Sequence, residues 1–403
     1  MTRLFFIAGR LPYPMEMGPD FRTWMIIAAA AELGPVGVFG VAHRPAEVSP
    51  DARIGSWSTA SQQTAIVHNA RGLDDGSWVK DPDWRPSAWY HHPAVAVELE
   101  EAMAAFEPDV VILEQLGLAG YLPLARSHAE VVILNNHNVE TDLQRQLEEA
   151  ESSPVARMVR RQFTIRTELL ERETLAQVDQ VWVCSDTDRD LLSGLFGVPS
   201  QVVPNAIPVG DYDDAFGARS EQAAEGPRLV FPAQFAYLPN ENAARFLLLD
   251  VLPAVLVRQP RATLALPGRD PGLRITGSVG GLPVTIPGAV ASMEPYLRDA
   301  DVMLIPLREG SGTRLKALEA FASGLPVIST AKGVEGLGVQ PDVHYLAAET
   351  ADEFAFATLQ LSEPGVGMAL RAAARAFVEE RHSLRAVSKA VSVALAAASV
   401  RPS

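Results

Sequence analysis

Val302–Leu337, VMLIPLREGSGTRLKALEAFASGLPVISTAKGVEGL, sets a strand, a glycine loop, a helix and a second strand one after another. VMLIP is a short unbroken apolar run, the pattern of a parallel strand buried on both faces. Gly310 and Gly312 in REGSG let the backbone approach a ligand closely and turn its N–H groups outward. A helix is expected from about Thr313, with Leu315, Leu318 and Ala322 at helical spacing as its buried stripe. Gly324 is expected to end it, and LPVIST to form the next strand. This order brings the unpaired N–H groups and positive end of a helix to the loop, where a phosphate can sit. Arg314 and Lys316 add positive charge there. Glu319 follows in the apolar ALEAFAS, where a carboxylate is costly unless a partner such as a ribose diol hydrogen-bonds it. The alternative is a solvated Lys316–Glu319 ion pair, worth about a few tenths of a kcal/mol.

The stretch is neither a Walker loop nor a dinucleotide fingerprint, since it lacks a GKS or GKT ending and no GxGxxG opens a helix at the chain start. With 403 residues the chain is long for one core, and two domains are expected. Its 48% apolar and 21% charged residues read as globular and soluble, and a formal charge of −15 argues against a nucleic-acid partner. The one cysteine, Cys184, excludes an internal disulfide and fits a reducing compartment; within VWVCS it reads as a small buried core residue. MTRLFFIAGRLPYP has too short an apolar run for a leader, and none is expected. Trp24–Ala42 is nearly long enough to span a bilayer, but Glu32 and Gly34-Pro35 interrupt it, so it reads as a buried helix followed by a buried strand.

LFFIA is the first expected strand, followed by a loop with Gly18 and a helix that Asp20 can cap; VGVFGVA is the second strand. Pro45–Pro93 is polar and holds most of the tryptophans, and it reads as irregular acceptor-side structure. His91 and His92 are adjacent, so they face apart and do not suggest a metal. VAVELEEAMAAF reads as a helix, DVVILEQ and VVILNNHNVE as strands. The second of these ends in Asn136, His137, Asn138 and Glu140, polar groups at the carboxyl end of a parallel strand, where ligands bind in open α/β sheets. Ser153–Glu173 reads as a helix carrying Arg157, Arg160, Arg161 and Arg166, which can be a solvated face or can lie against anionic lipid. GDYDDAFGARSEQAAEGP marks a boundary, after which RLVFPAQ opens a second βα series and PNENAARFLLLDVLPAVLVRQP is a helix stopped by prolines.

GSGTRLKALEAFASGLPVIST resembles the nucleotide-sugar site of family-4-type glycosyltransferases with the two-domain GT-B fold, in the bacterial subgroup that also carries HNVE. The resemblance implies that Glu319 binds the donor ribose and that Gly312, Thr313, Arg314 and Lys316 hold the diphosphate. Where many members carry a further glutamate this chain has Ser311, with Glu309 two residues before it. His137 of HNVE matches a histidine that contacts the donor sugar near the reaction centre, and Gly18, with Arg22, matches a first loop facing the interdomain cleft. Pro239-Asn240 matches a pair after the first strand of the second domain; where related enzymes place an arginine and a lysine there, this chain has Gln234, which leaves the cationic work to Arg314, Lys316 and Arg269. The family's VPNG is Val203-Pro204-Asn205-Ala206 here.

The fold so implied is α/β, two doubly wound Rossmann-like domains facing across a cleft: 1–210 on the acceptor side and 211–384 binding the nucleotide sugar, with a last helix at about 385–403 crossing back. The alternation of apolar strands and helices supports it independently. The implied function is transfer of a sugar from a nucleotide-diphosphate donor to a glycan, glycolipid or small-molecule acceptor, with retention, in bacterial polysaccharide or glycoconjugate synthesis. His137, Arg314 and Lys316 are the expected catalytic residues. No cofactor and no essential metal are expected, because no DxD-like pair stands beside the phosphate loop. The expected location is the cytoplasm, with peripheral membrane contact through the Arg157–Arg166 helix. The alternatives are a nucleotide-sugar epimerase of the same fold and an inactive binding partner of another glycosyltransferase.

Overall fold

The computed structural model describes residues 1–13, 15, 18–42, 54–58, 77–218, 226–310, 312, 314–363 and 365–399. The chain divides into two compact units, Met1–Ala206 with Leu384–Ser403, and Ile207–Ser383, so the division falls at 206 where the sequence suggested 210.

In the first unit the apolar runs become parallel strands. LFFIAGR is β1 (Leu4–Arg10), VGVFGVA is β2 (Val36–Ala42), and α1 (Gly18–Ala31) takes up the apolar stretch between them. This helix starts two residues before the Asp20 expected to cap it; Asp20 is buried in the first turn and pairs with Arg10. The region expected to be irregular includes an edge strand, β3 (Ile54–Ser58), paired with β2, while 43–53 and 59–76 lie outside the described residues. His92 starts α2 (Pro93–Phe106) by accepting from Ala94 N at 3.2 Å, and β4 (Val110–Leu113), α3 (Leu122–His128) and β5 (Val131–Asn135) follow. Then come α4 (Glu140–Glu149), α5 (Pro154–Leu175), β6 (Gln180–Val183), α6 (Asp186–Phe196) and β7 (Gln201–Val202). Among the described residues the sheet order is β3-β2-β1-β4-β5-β6-β7, all parallel, and it reverses between β1 and β4. Side chains of β1 alternate between two cores, as the pleat requires: Phe5 and Ile7 join Met103 and Leu122, while Leu4 and Phe6 join Ile26 and Trp182.

The basic helix is not basic along one exposed face. Arg166 is buried, donates to the carbonyls of Trp78 (3.1 Å), Val79 (3.1 Å) and Asp81, and lies over the Trp78 ring at 5.2 Å. Arg160 is half-buried against Glu151 at 3.4 Å, which leaves Arg157 and Arg161 exposed. Arg166 thus anchors the tryptophan-bearing 77–85 segment onto α5. Arg166→Met keeps most of the packing but strands these carbonyls, and is expected to destabilise the protein by about 3 kcal/mol, read as a lower urea midpoint at unchanged slope. A midpoint equal to that of the unaltered protein contradicts the anchoring role.

The second unit opens with a 3₁₀ turn (Val209–Tyr212) and α7 (Asp213–Gly217), then β8 (Arg228–Val230). The single helix expected over PNENAARFLLLDVLPAVLVRQP is α8 (Leu238–Phe246) and α9 (Leu252–Arg258) joined by a π-helical turn, Leu247–Val251, which widens the coil ahead of Pro253, a residue with no N–H to give. Next are β9 (Thr263–Pro267), α10 (Leu273–Thr276), β10 (Val284–Gly288), α11 (Glu294–Asp299) and β11 (Val302–Ile305). The unit continues with α12 (Leu315–Ala322), β12 (Val327–Ser329), β13 (Leu346–Ala347), α13 (Ala351–Gln360) and α14 (Val366–Arg381). The described strands are parallel in the order β10-β9-β8-β11-β12-β13, which reverses between β8 and β11.

The opening stretch folds as strand, loop, helix and strand, but α12 starts at Leu315 rather than near Thr313. Gly312 at φ +69° and Arg314 at φ −89°, ψ 93° hold the chain off helical geometry until then. Gly324 stops the helix at φ +65°, with Leu325 N bonded to Ala320 O at 2.8 Å and Gly324 N to Phe321 O at 3.1 Å, a Schellman ending. Ala206, where the family has glycine, is buried and is not among the positive-φ residues, so its backbone does not need a glycine. The last helix, α15 (Leu384–Ser399), belongs to the first unit and sends Val387, Val391 and Ala394 into its core.

Candidate functional site

In a doubly wound sheet the loops after the two strands at the reversal diverge and leave a crevice at the strands' carboxyl ends. In the second unit those loops follow β8 and β11, and both lead into helix starts that are tied to each other. Lys316, in the first turn of α12, donates from Nζ to Asn240 Oδ1 of α8 at 3.2 Å and stands 4.1 Å from the centre of the Phe231 ring, just after β8. Asn240 Nδ2 in turn donates to Gln234 O at 2.9 Å, and Asn242 Nδ2 donates to Glu309 on the β11 loop. Gly268, after β9, closes in from the side at φ +148°; a Cβ there would lie 1.7 Å from Ala233 O, so no other residue fits.

The residue at the N-cap position of α12 is Arg314, whose guanidinium has no acceptor to offer the first-turn N–H groups. Its side chain is buried and turns back on its own loop, donating to Gly312 O at 3.3 Å and packing on Gly310, where a Cβ would come within 3.0 Å of the guanidinium. Lys316 and Glu319 do not form the solvated pair considered above. Both are half-buried and look to different partners, Lys316 to Asn240 and Phe231, Glu319 to the Tyr212 hydroxyl, which donates to Oε1 at 3.1 Å. Burial, helped by the charge of Arg314 and opposed by Glu319, brings Lys316 down to a pKa of about 7. Burial raises the Glu319 carboxyl, against the pull of Tyr212 and Lys316. An ammonium whose charge burial disfavours, in the first turn of a helix, is one that an incoming polyanion would stabilise.

A second polar cluster occupies the reversal in the first unit. Glu114, 1% exposed at the end of β4, accepts from Thr23 Oγ1 at 2.8 Å and from Asn135 Nδ2 at 3.1 and 3.2 Å, and lies 3.1 Å from His137 Nε2. Arg22, also buried, donates to Asn135 Oδ1 at 2.7 Å, to Asn205 Oδ1 at 2.6 Å and to Val203 O at 3.2 Å. Burial lowers the pKa of His137, with Glu114 opposing. Behind it Glu171, fully buried on α5, accepts from the N–H groups of Glu140 and Thr141 at 3.1 and 2.9 Å and so caps α4 from outside. Glu140, held by Asn138 at 3.1 Å, is raised by burial to about 7.

Of the expected site residues, Asn240, Glu309, Gly312, Arg314, Lys316 and Glu319 come together at the reversal of the second unit. His137 and Gly18, the exposed first residue of α1, belong to the first unit. Ser311 and Thr313 lie outside the described residues. Sequence reading missed Glu114, Tyr212 and Phe231. Glu114 carried the same signal as Asn136 and His137, a polar residue closing an apolar strand run. Cys184 is buried, its Sγ 3.3 Å from His137 O. Among the described residues no cluster of three or more histidine, cysteine, aspartate or glutamate side chains is placed to hold a metal, and no helix is long and apolar enough to cross a membrane.

Residues 226–363 match the family model "Glycosyl transferases group 1" and residues 63–210 match "Glycosyltransferase Family 4". No curated protein sequence matches the chain. Among solved structures, the sucrose-phosphate synthase of Thermosynechococcus elongatus superposes with a TM-score of 0.72 at 17% identity, over 98% of this chain and 99% of that one. Anabaena HepE in complex with UDP-glucose gives 0.66 at 12%, over 98% and 100%. The UDP-forming α,α-trehalose-phosphate synthase of Burkholderia xenovorans gives 0.65 at 11%, over the whole of both chains. The chain therefore carries a glycosyltransferase family 4 domain followed by a group 1 glycosyl transferase domain, on the GT-B fold of two Rossmann-like units.

Proposed function

We propose that the protein transfers a sugar from a nucleoside-diphosphate donor to an acceptor hydroxyl with retention at the anomeric carbon. The observation that carries this reading is the start of α12, which no side chain caps among the described residues, with Lys316 fixed beside it by Asn240 and Phe231, and Glu319 one turn further on. Helix N–H groups and the Lys316 ammonium meet the diphosphate, and Glu319 accepts from the ribose diol. In the transfer the bond from the anomeric carbon to the diphosphate oxygen breaks, the acceptor oxygen bonds to that carbon, and the acceptor's proton passes to the departing phosphate oxygen. Lys316, with Arg314 behind it, stabilises the charge that builds on the leaving group, so this reading requires no metal. In the first unit the residue proposed to act on the sugar is His137, braced by Glu114. Bound UDP and UDP-glucose in the HepE structures support a nucleotide-sugar donor.

The outward face of α5, where Val155, Met158, Ile165 and Leu169 are exposed beside Arg157 and Arg161, supports peripheral contact with anionic lipid and hence a glycolipid or surface-glycan acceptor at the cytoplasmic face of a membrane. The test is thermal denaturation with a panel of UDP-, GDP-, ADP- and dTDP-sugars. The matching donor, at one hundred times its dissociation constant, stabilises by about 2.7 kcal/mol. Failure of every donor to raise the melting temperature overturns the proposal, and conversion of the donor to another sugar still linked to its nucleotide assigns an epimerase instead.

A further inference from the structure

The linker between the two family domains is not inert at the proposed donor site, and the inference drawn from it rests on that site. Tyr212 closes the 3₁₀ turn with which the second unit begins, and is only 9% exposed. Its hydroxyl proton goes to Glu319 Oε1 at 3.1 Å. We propose that Tyr212 is a positioning residue for donor binding, holding Oε1 of Glu319 so that the carboxylate stays ionised and presents its other oxygen to the donor's diol.

The chemistry follows from what Glu319 would do alone. It sits on α12 among Ala317, Leu318, Ala320, Phe321 and Ala322, all buried, and burial favours its neutral form. A protonated carboxyl offers one donor and a weakened acceptor, the wrong partner for a pair of hydroxyl groups. A hydrogen bond received from a neutral hydroxyl stabilises the charged form and fixes the rotamer at once. Tyr212 is suited to remain the donor, because its own burial and the negative charges of Glu319 and Asp211 keep its proton on. The other charged groups around α12 have different tasks. Lys316 is engaged by Asn240 and Phe231, Arg314 by its own loop, and from α14 Arg375 donates to Ala322 O at the far end at 2.6 Å, while Arg371 donates to Phe216 O at 2.7 Å.

Tyr212→Phe removes the hydroxyl and nothing else. In calorimetric titration with UDP, GDP and ADP, the nucleotide that binds the unaltered protein best is expected to bind this variant about tenfold more weakly at pH 7, the worth of one hydrogen bond to a charged group. The pH below which binding fades is expected to move upward, because Glu319 then takes a proton more readily. Glu319→Gln is expected to weaken binding about 100-fold, and adding Tyr212→Phe to it is expected to leave the residual affinity unchanged. Replacing Tyr212 by 3-fluorotyrosine, a stronger donor of nearly the same shape, shifts the acid limb the opposite way, and ¹³C titration of Glu319 in the free protein reads the same effect without ligand. Unchanged affinity and an unchanged acid limb in Tyr212→Phe, with binding weakened in Glu319→Gln, overturns the positioning role and leaves the donor site standing. Full binding by Glu319→Gln overturns the donor site itself.

Discussion

Lys316→Met is expected to lower kcat for sugar transfer by about 10²- to 10³-fold, the range found when one preorganised donor to a developing oxyanion is removed. Methionine keeps an apolar stem against Phe231 and leaves Asn240 its bond to Gln234 O, so the backbone around the site has no cause to move. Stability is expected to hold or rise. The pKa of Lys316 falls on folding from its ordinary value to about 7, so the folded state disfavours its charge, and stability from this group increases as pH rises through that window. A variant that melts no lower yet turns over hundreds of times more slowly separates catalysis from folding. Lys316→Arg is not expected to restore the rate, because a planar fork does not reproduce a point charge seated 4.1 Å over an aromatic ring and 3.2 Å from an amide oxygen. Release of nucleoside diphosphate from the donor, with and without acceptor, measures both. A Lys316→Met rate within threefold of the unaltered protein assigns the leaving-group charge to Arg314 instead.

The parts of this site that were legible in the sequence are those written in local pattern. β2 falls on VGVFGVA, an apolar run with no polar interruption, and α12 ends at Gly324 because only a positive φ closes that turn. Lys316 and His137 stand out as polar groups beside apolar runs, and Glu319 as a carboxylate inside one. What was not legible depends on which elements become neighbours. Glu114 becomes His137's partner only because β4 and β5 lie side by side, and Tyr212 becomes Glu319's partner across 107 residues. Arg166 read as a surface charge for a related reason: helical spacing places it on a face, and only packing of the 77–85 segment reveals that the face is covered. The edge strand β3 has the same origin, since IGSWS lacks the unbroken apolar run of its neighbours and needs β2 beside it to form.

Binding of the nucleotide is expected to draw a proton from solution above neutral pH. In the free protein Lys316 titrates near 7, so at pH 8 most molecules carry it neutral. A diphosphate beside the ammonium favours the charged form and raises that pKa, so each binding event at pH 8 takes up nearly one proton. Affinity is then fully expressed below 7 and declines as pH climbs through it, weakening by about 20-fold between pH 6.5 and 8.5 if the bound-state pKa lies above 9. On the acid side the sign reverses. Burial has already raised the Glu319 carboxyl, binding needs it ionised, and affinity declines as pH falls through its raised pKa. Together they predict an affinity maximum between an alkaline limb that belongs to Lys316 and an acid limb that belongs to Glu319. Titration calorimetry at pH 8 in buffers of different ionisation enthalpy counts the protons, and Lys316→Met is expected to abolish the buffer dependence while leaving the acid limb in place. Heats independent of buffer in the unaltered protein, with affinity flat from pH 6.5 to 8.5, mean that the diphosphate does not meet this lysine.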